Sequence, residues 1–420
     1  DLHSFPTRRS SDLGNLMKLH RNLVDAVIEG LTFIFNEGQY ADKVVEKQLK
    51  KDKRWGARDR AFIAETIYDI VRWKRLYAEI AEVYEPFTVH NLRRMFAVWA
   101  TLKSIALPDW GNYFEDTPAR RIKGKFDELS KVRKLRESVP DWLDTLGAQE
   151  LGETLWADEL HALNSLAPVV LRVNTLKTSL EHLQQFLRQE GVETYPLRDY
   201  PDALQLVERN NIFKTQAFAD GLFEVQDASS QKVAPFMMID SNVKRVIDTC
   251  AGAGGKTLHL ATLMQNKGQI IAMDIYEQKL QELKRRARRN GVFNIETKLI
   301  EPKQLKRMQG TADRVLIDAP CSGLGVLRRN PDAKWKLRPE FLDEIRTTQQ
   351  EILQQYSKLL KKEGKLVYAT CSILPSENQQ QIEKFLASEA GKEFRLEAEE
   401  VIFAHQSGYD GFYMARLIND

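Results

Sequence analysis

With 420 residues, 43% of them hydrophobic and 29% charged, the chain has the composition of a globular protein and the length for two or three domains. No apolar run reaches the roughly 18 residues that cross a bilayer. Three cysteines without zinc-like spacing exclude a disulfide framework and a structural zinc site, so no metal is expected and a reducing cytoplasm is the expected compartment. The net charge of +3 conceals basic clusters at 50–60, 131–136, 284–289 and 328–336, a distribution suited to neutralising phosphates.

Residues 1–16 have neither periodicity nor an apolar core of the signal-peptide kind. They resemble translated sequencing-adapter sequence, which places the natural start at Met17 and makes 1–16 a non-native leader. Residues 17–138 read as helical. Leu23, Val27, Leu31, Ile34 and Phe35 recur at helical spacing, a second helix runs from Ala61 through Val71, and a third covers 92–107 before Pro108 stops it. The polar stretch 109–125 reads as a loop. Residues 139–240 read as a small α+β module. Pro140 opens a helix, Val169–Asn174 is a strand, 178–189 is a capped helix, and strands follow at 204–207 and 222–226. From 241 to 420 strands and helices alternate, which predicts a parallel, doubly wound sheet, with 412–417 as a final edge strand.

The third region carries the chemistry. Its first strand runs into Asp248-Thr249-Cys250-Ala251-Gly252-Ala253-Gly254-Gly255-Lys256, a turn that lets backbone approach a ligand at a helix N-terminus. A phosphate-binding P-loop would need Gly where Cys250 stands, and a dinucleotide fingerprint would need Gly where Thr257 stands. The next strand ends at Asp274, placed to accept hydrogen bonds from a ribose or else to cap the following helix. Turn, strand and acid together suit an adenosine-containing ligand with little phosphate, and S-adenosyl-L-methionine fits best. Two further strands end in Asp318-Ala319-Pro320-Cys321 and Ala369-Thr370-Cys371-Ser372, each putting a thiol just past the strand's carboxyl end, where open α/β sheets bind ligands. Paired thiols there suit covalent chemistry on an electrophilic ring.

These elements, in this order and together with Arg172-Val173-Asn174 and Gln226-Asp227-Ala228-Ser229-Ser230-Gln231, resemble the RNA (cytosine-5) methyltransferases of the Sun/Nop type, especially those acting on small-subunit ribosomal RNA. The likeness spans at least residues 168–417. A weaker one, carried by Arg58-Asp59-Arg60-Ala61-Phe62 and Tyr68-Asp69-Ile70-Val71-Arg72, links 17–138 to the RNA-binding domain of the antitermination factor NusB. The resemblance implies an α/β fold: a Rossmann-like class I methyltransferase domain, a helical NusB-like N-terminal domain, and a small RNA-binding module between them. The expected partner is RNA, either ribosomal RNA or a subunit precursor, and the enzyme is expected to act as a monomer away from membranes.

It further implies that Cys371 adds to carbon 6 of cytosine, making carbon 5 nucleophilic, and that Cys321 assists release. Asp318 would bond the base and Lys256 would order the site. The cofactor contacts would be Cys250, Ala251, Gly252, Ala253, Gly254, Gly255, Lys256, Asp274, Glu301 and Asp318. Arg172, Asn174, Arg328, Arg329 and Lys334 would contact RNA. The chain departs from the family in having Ala253 where a proline is common in the turn, and in offering only the longer Glu301 as the third acidic residue. Transfer RNA as substrate, or a non-catalytic assembly role, are the alternatives. A free thiol near pKa 8.5 is only about 3% ionised at pH 7, so full ionisation gains at most about 30-fold. Fixed geometry can supply about 7–11 kcal/mol, so placement of the thiols is expected to dominate.

Overall fold

The computed structural model describes residues 17–114 and 118–420. The expected leader, 1–16, lies outside them. The chain divides into two units by contacts. The first holds the chain up to Leu166 together with Leu327–Arg338, and the second holds Ala167–Val326 and Pro339–Asp420. Among the described residues no helix is long and apolar enough to cross a membrane.

The first unit is helical, as the 3.6-residue periodicity predicts. Helices Arg21–Phe35, Ala41–Leu49, Ala57–Arg72, Lys74–Ala81 and Val89–Leu102 enclose a core that includes Val24, Val27, Leu31, Ile63, Ile67, Met95 and Phe96. The Thr88 hydroxyl accepts from Asn91 N at 3.0 Å and starts the last of these. That helix ends at Leu102, short of the expected 107, because Ser104 turns left-handed at φ 57° and Ile105 N bonds Ala100 O at 2.8 Å. The expected loop at 109–125 contains instead the start of a helix, Ala119–Leu129. Ile122, Phe126 and Leu129 form its short apolar stripe, of which only Ile122 is fully buried. Helices Asp141–Leu151 and Glu153–Ala162 group with this unit, and Gly147 lets the buried Trp156 ring lie against its backbone, where a Cβ would stand 2.4 Å from the indole.

The segment 327–338 belongs to this helical unit although its neighbours in sequence do not. Trp335 Nε1 donates to Val71 O at 2.6 Å, and Lys74 Nζ stands 4.9 Å from the Trp335 ring centroid. The Asp332 carboxylate accepts from Ala41 N at 2.9 Å. Trp335 thus packs within the helical unit.

The second unit contains two sheets. Strands β1 (Val170–Val173), β2 (Thr194–Leu197), β3 (Tyr200–Leu206) and β4 (Phe223–Val225) form an antiparallel sheet ordered β2-β3-β1-β4. Helix Leu180–Gln189 covers it, started by Ser179 Oγ accepting from His182 N at 3.2 Å. The larger sheet comprises β5 (Arg245–Asp248), β6 (Gln269–Asp274), β7 (Ile295–Leu299), β8 (Ala312–Asp318), β9 (Leu360–Thr370), β10 (Phe394–Ile402) and β11 (Phe412–Asn419), ordered β10-β11-β9-β8-β5-β6-β7. Strands β5 to β9 run parallel. The expected doubly wound α/β fold is therefore present, with one correction. The last strand is not an edge. Strand β11 inserts antiparallel between β9 and β10, and its Phe412, Tyr413, Met414, Ala415 and Leu417 are buried, whereas the half-polar β10 takes the edge.

Removing the Trp335 ring should leave a cavity in the helical unit. Trp335→Ala is expected to destabilise that unit by about 3 kcal/mol. Amide hydrogen exchange checks it: protection should fall in helix Ala57–Arg72 while β5 and β8 keep theirs.

Candidate active site

The site is built at the carboxyl ends of β5, β6, β8 and β9. The apolar runs Val246-Ile247 and Val315-Leu316-Ile317 are fully buried, which fixes these strands in the middle of the sheet and leaves their polar ends to meet. Parallel pairing sets Asp318 beside Ala369. Cys321 lies three residues past that rung and Cys371 two, so the two loops turn over the same edge. The thiols meet there, with Sγ to Sγ at 3.3 Å. Lys256 Nζ donates to Asp318 Oδ2 at 2.7 Å. Cys321, Cys371, Asp318 and Lys256, far apart in sequence, are thus brought together in two adjoining pairs.

Electrostatics distinguish the members. The hydrogen bond with Cys371 and then burial push the Cys321 thiol well above its ordinary pKa. Burial pulls on the Lys256 ammonium in the neutral direction, but the charge of Asp318 and its hydrogen bond outweigh that and leave the pKa raised. Cys250 is a different kind of cysteine. It packs against the apolar core beneath the sheet, and burial pushes its thiol strongly up.

The glycine turn takes its shape from two carboxylates. Asp274 accepts from Gly252 N through Oδ2 and from Tyr276 N through Oδ1, both at 2.9 Å, so it joins the turn to the start of the next helix. Gly254 has φ 97°, and a Cβ there would lie 2.6 Å from Leu283 Cγ; only glycine allows that approach. Asp248 accepts from Thr257 Oγ1 at 2.7 Å, while its other oxygen is buried without a hydrogen-bond partner. Arg286 supports the turn from outside by donating to Ala253 O at 2.7 Å and to Glu224 at 2.9 Å. The expected adenine contact Glu301 is exposed at the start of helix Pro302–Arg307, just past β7.

Four of the five residues expected at an RNA surface are buried. Lys334 is 1% exposed in the helical unit, where burial pulls its pKa well down and its Nζ lies 3.4 Å from Asn164 Oδ1. Arg328 is buried in the same unit and its carbonyl accepts from Arg72. In the second unit Asn174 donates to Gly221 O and Asn290 O at 2.8 Å each, and Arg172 is buried with its guanidinium depressed to about 10 by burial. Asn174 thus ties together segments of the second unit, and Arg172, Arg328 and Lys334 are withdrawn from solvent. Arg329 is only half-buried. The basic run 284–289 is also partly internal, since Arg286 and Arg289 both pair with the buried Glu224. Burial raises the Glu224 carboxyl, but the charges of Arg286 and Arg289 and a hydrogen bond from Asn290 bring it below its ordinary pKa.

One residue of the site had no motif to announce it. Glu377, fully buried, accepts from Ser322 N and Ser322 Oγ at 2.7 Å each, and from the Ser372 hydroxyl. Those serines directly follow Cys321 and Cys371. Gly325 ties the same loops through backbone: its N donates to Cys371 O at 2.8 Å, and a Cβ at 325 would stand 2.1 Å from Gly411 O.

Asp248 gives the site a pH signature. Burial, with the charge of Asp318 adding, raises its carboxyl from 3.8 to about 7, against the Thr257 hydrogen bond and the Lys256 charge, which favour ionisation. The folded chain therefore holds a proton through this window that the unfolded chain releases, and the resulting stability is full below it and falls as pH rises through it. Asp248→Asn can keep the Thr257 bond and removes the titration. Its urea midpoint should lack the part of the decline that wild type shows between about pH 4 and about pH 7.

Comparison with known proteins agrees with this geometry. Residues 236–418 match the family model described as 16S rRNA methyltransferase RsmB/F. Residues 139–212 match that of its ferredoxin-like domain, which begins earlier in the chain than the division drawn by contacts. Ribosomal RNA small subunit methyltransferase B of Klebsiella pneumoniae (strain 342) is 36% identical over 286 residues, covering 66% of this chain and 65% of its own length. The protein of the same name from Escherichia coli O6:K15:H31 (strain 536 / UPEC) is 35% identical over 310 residues, 71% of either chain. The matched region thus spans about two thirds of the length of these relatives. The solved structure of PH0851 superposes with a TM-score of 0.78 over 96% of this chain and all of its own, at 24% identity, and shares the fold. The resemblance read from the motifs holds, and the chain belongs to the 16S rRNA methyltransferase RsmB/F family.

Proposed function

We propose that this protein transfers a methyl group from S-adenosylmethionine to carbon 5 of a cytosine in small-subunit ribosomal RNA, through a transient bond between Cys371 and the base. The observation that carries the proposal is the meeting of the Cys321 and Cys371 thiols at 3.3 Å beside the Lys256–Asp318 pair. The names of the relatives support the substrate.

The residues present suit the cofactor. Three acidic residues, Asp248, Asp274 and Asp318, end β5, β6 and β8; this edge disfavours phosphate, and an arriving cation would favour ionisation of the buried Asp248. The orphan oxygen of Asp248 needs a donor such as an ammonium group. A Cβ at Gly252 would project into open space, so the turn presents bare backbone. The turn Cys250–Gly255 and Lys256 would hold the cofactor with Asp248, Asp274 and Asp318, and Glu301 would meet its adenine edge. When bound it supplies an activated methyl group on a sulfonium.

The protein's part is to activate the acceptor. The Cys371 thiolate bonds carbon 6 of the ring, and the electron pair so displaced makes carbon 5 nucleophilic. Asp318, held by Lys256, hydrogen-bonds the base and favours the electron-rich adduct. After transfer, carbon 5 carries both a proton and the methyl group. Cys321 assists loss of that proton, the carbon 6–sulfur bond breaks, and the Cys371 thiolate returns. We assign the helical unit, with its NusB-like sequence, to RNA binding, and the protein to the cytoplasm as a monomer.

Cys371→Ser is expected to reduce methyl transfer to background. Cys321→Ala should instead accumulate an RNA–protein adduct, seen as a retarded band on a denaturing gel. Bisulfite mapping of ribosomal and transfer RNA, from cells with and without the gene, identifies the substrate. A lost mark in transfer RNA alone would overturn the ribosomal assignment.

A further inference from the structure

Beyond the four residues expected from the motifs, the pair of thiols depends on a group neither loop contains. The loops bearing Cys321 and Cys371 share little backbone pairing past the strand ends: Gly325 N to Cys371 O is the bond between them. Besides the thiol contact itself and a direct Ser322–Ser372 hydroxyl bond, the cross-links converge on one carboxylate. Glu377 Oε1 takes Ser322 N, its Oε2 takes both serine hydroxyls, and the two hydroxyl oxygens lie 3.3 Å apart. Glu377 is itself fixed from three sides. Gln349 Nε2 donates to its Oε1 at 3.3 Å and to Pro320 O at 2.9 Å, Tyr368 OH donates to its carbonyl at 2.6 Å, and the neighbouring Asn378 side chain donates to Ser372 O at 2.9 Å. A buried carboxylate is costly unless its acceptor sites are filled, and here they are filled by the residues next to the two thiols.

We infer that Glu377 is a positioning residue that sets the Cys321–Cys371 spacing by clamping Ser322 and Ser372, so that the thiol that releases the base stays in register with the thiol that attacks it. This rests on the proposed function for its role in methyl transfer, but not for the spacing itself. Burial raises the carboxyl's pKa against the opposing serine bonds, as expected of a group kept for its contacts and out of water. Losing the clamp impairs release more than attack, because attack needs Cys371 alone whereas release needs both sulfurs.

The test uses the full chain as wild type, Glu377→Gln and Ser322→Ala. The first variant keeps the shape and removes the charge; the second removes one clamped hydroxyl and carries the test should the first fail to fold by circular dichroism. Thiol spacing is read without RNA by exposing each protein to oxidised glutathione. One thiolate attacks the reagent's disulfide and expels a glutathione thiolate. The second protein thiol then displaces the other glutathione, so two electrons pass to the reagent and two protons leave. The Cys321–Cys371 disulfide should form about tenfold more slowly in the variants. With RNA and cofactor, kcat should fall at least tenfold with little change in KM, and the covalent adduct should persist as in Cys321→Ala. Disulfide formation within twofold of wild type in a folded variant overturns the inference. Absence of any methyl transfer by wild type overturns the proposed function and leaves the spacing result standing on its own.

Discussion

Parallel pairing of β8 with β9 determines where two sulfur atoms can be. Neither strand contains a cysteine; each hands its chain to a loop at the same rung, and the loops then have nowhere to go but over the sheet edge beside one another. A slip of the register would move one loop by a residue, or about 3.3 Å, as large as the whole separation between the thiols. Val315, Ile317, Leu366 and Tyr368 pack into one core and Leu316, Val367 and Ala369 into another, so a one-residue slip would drive each set into packing shaped for the other. Packing in the sheet interior is therefore the first cause of the site's geometry. The side-chain bonds around Glu377 refine a placement that hydrophobic burial has already made.

How legible this was depends on where each residue's partners lie. Strands β5, β8 and β9 could be read because short β-branched runs are followed at once by turn residues. Strands β7 and β10 lack such runs. Ile295–Leu299 is polar between its two ends and Phe394–Ile402 is half polar, because they are the sheet's two edges and part of each faces solvent. The thiols, Lys256 and Asp318 stood out because each sits in a short motif beside a strand end. Charge misled where sequence shows a cation but not its burial: Lys334 reads as a surface lysine until it is seen among Asn164, Trp335 and Arg72, two of them over 150 residues away. Arg286 and Arg289 read as part of a basic face until Glu224, from another sheet, is seen between them. Glu377 left little local trace because, Ser372 apart, its partners Ser322 and Gln349 are distant in sequence.

The carboxylates at the strand ends show what the fold gives up for the site. Asp248, Asp274 and Asp318 occupy neighbouring strand termini, and each is answered differently. Asp274 is satisfied by two backbone N–H groups, Asp318 by Lys256, and Asp248 by a single hydroxyl. Were the cluster selected for stability alone, the incompletely bonded member would be the one to replace, since a buried acceptor without a donor costs about 1–3 kcal/mol. Retaining it makes sense if the missing donor arrives with a ligand, and a cation is the ligand for which three acids form an attractive surface. The same reasoning explains why Lys256 does not cancel the array. It is held against Asp318, on the side of the thiols. Lys256 thus belongs both to the helix that follows the glycine turn and to the Asp318 corner beside the thiols.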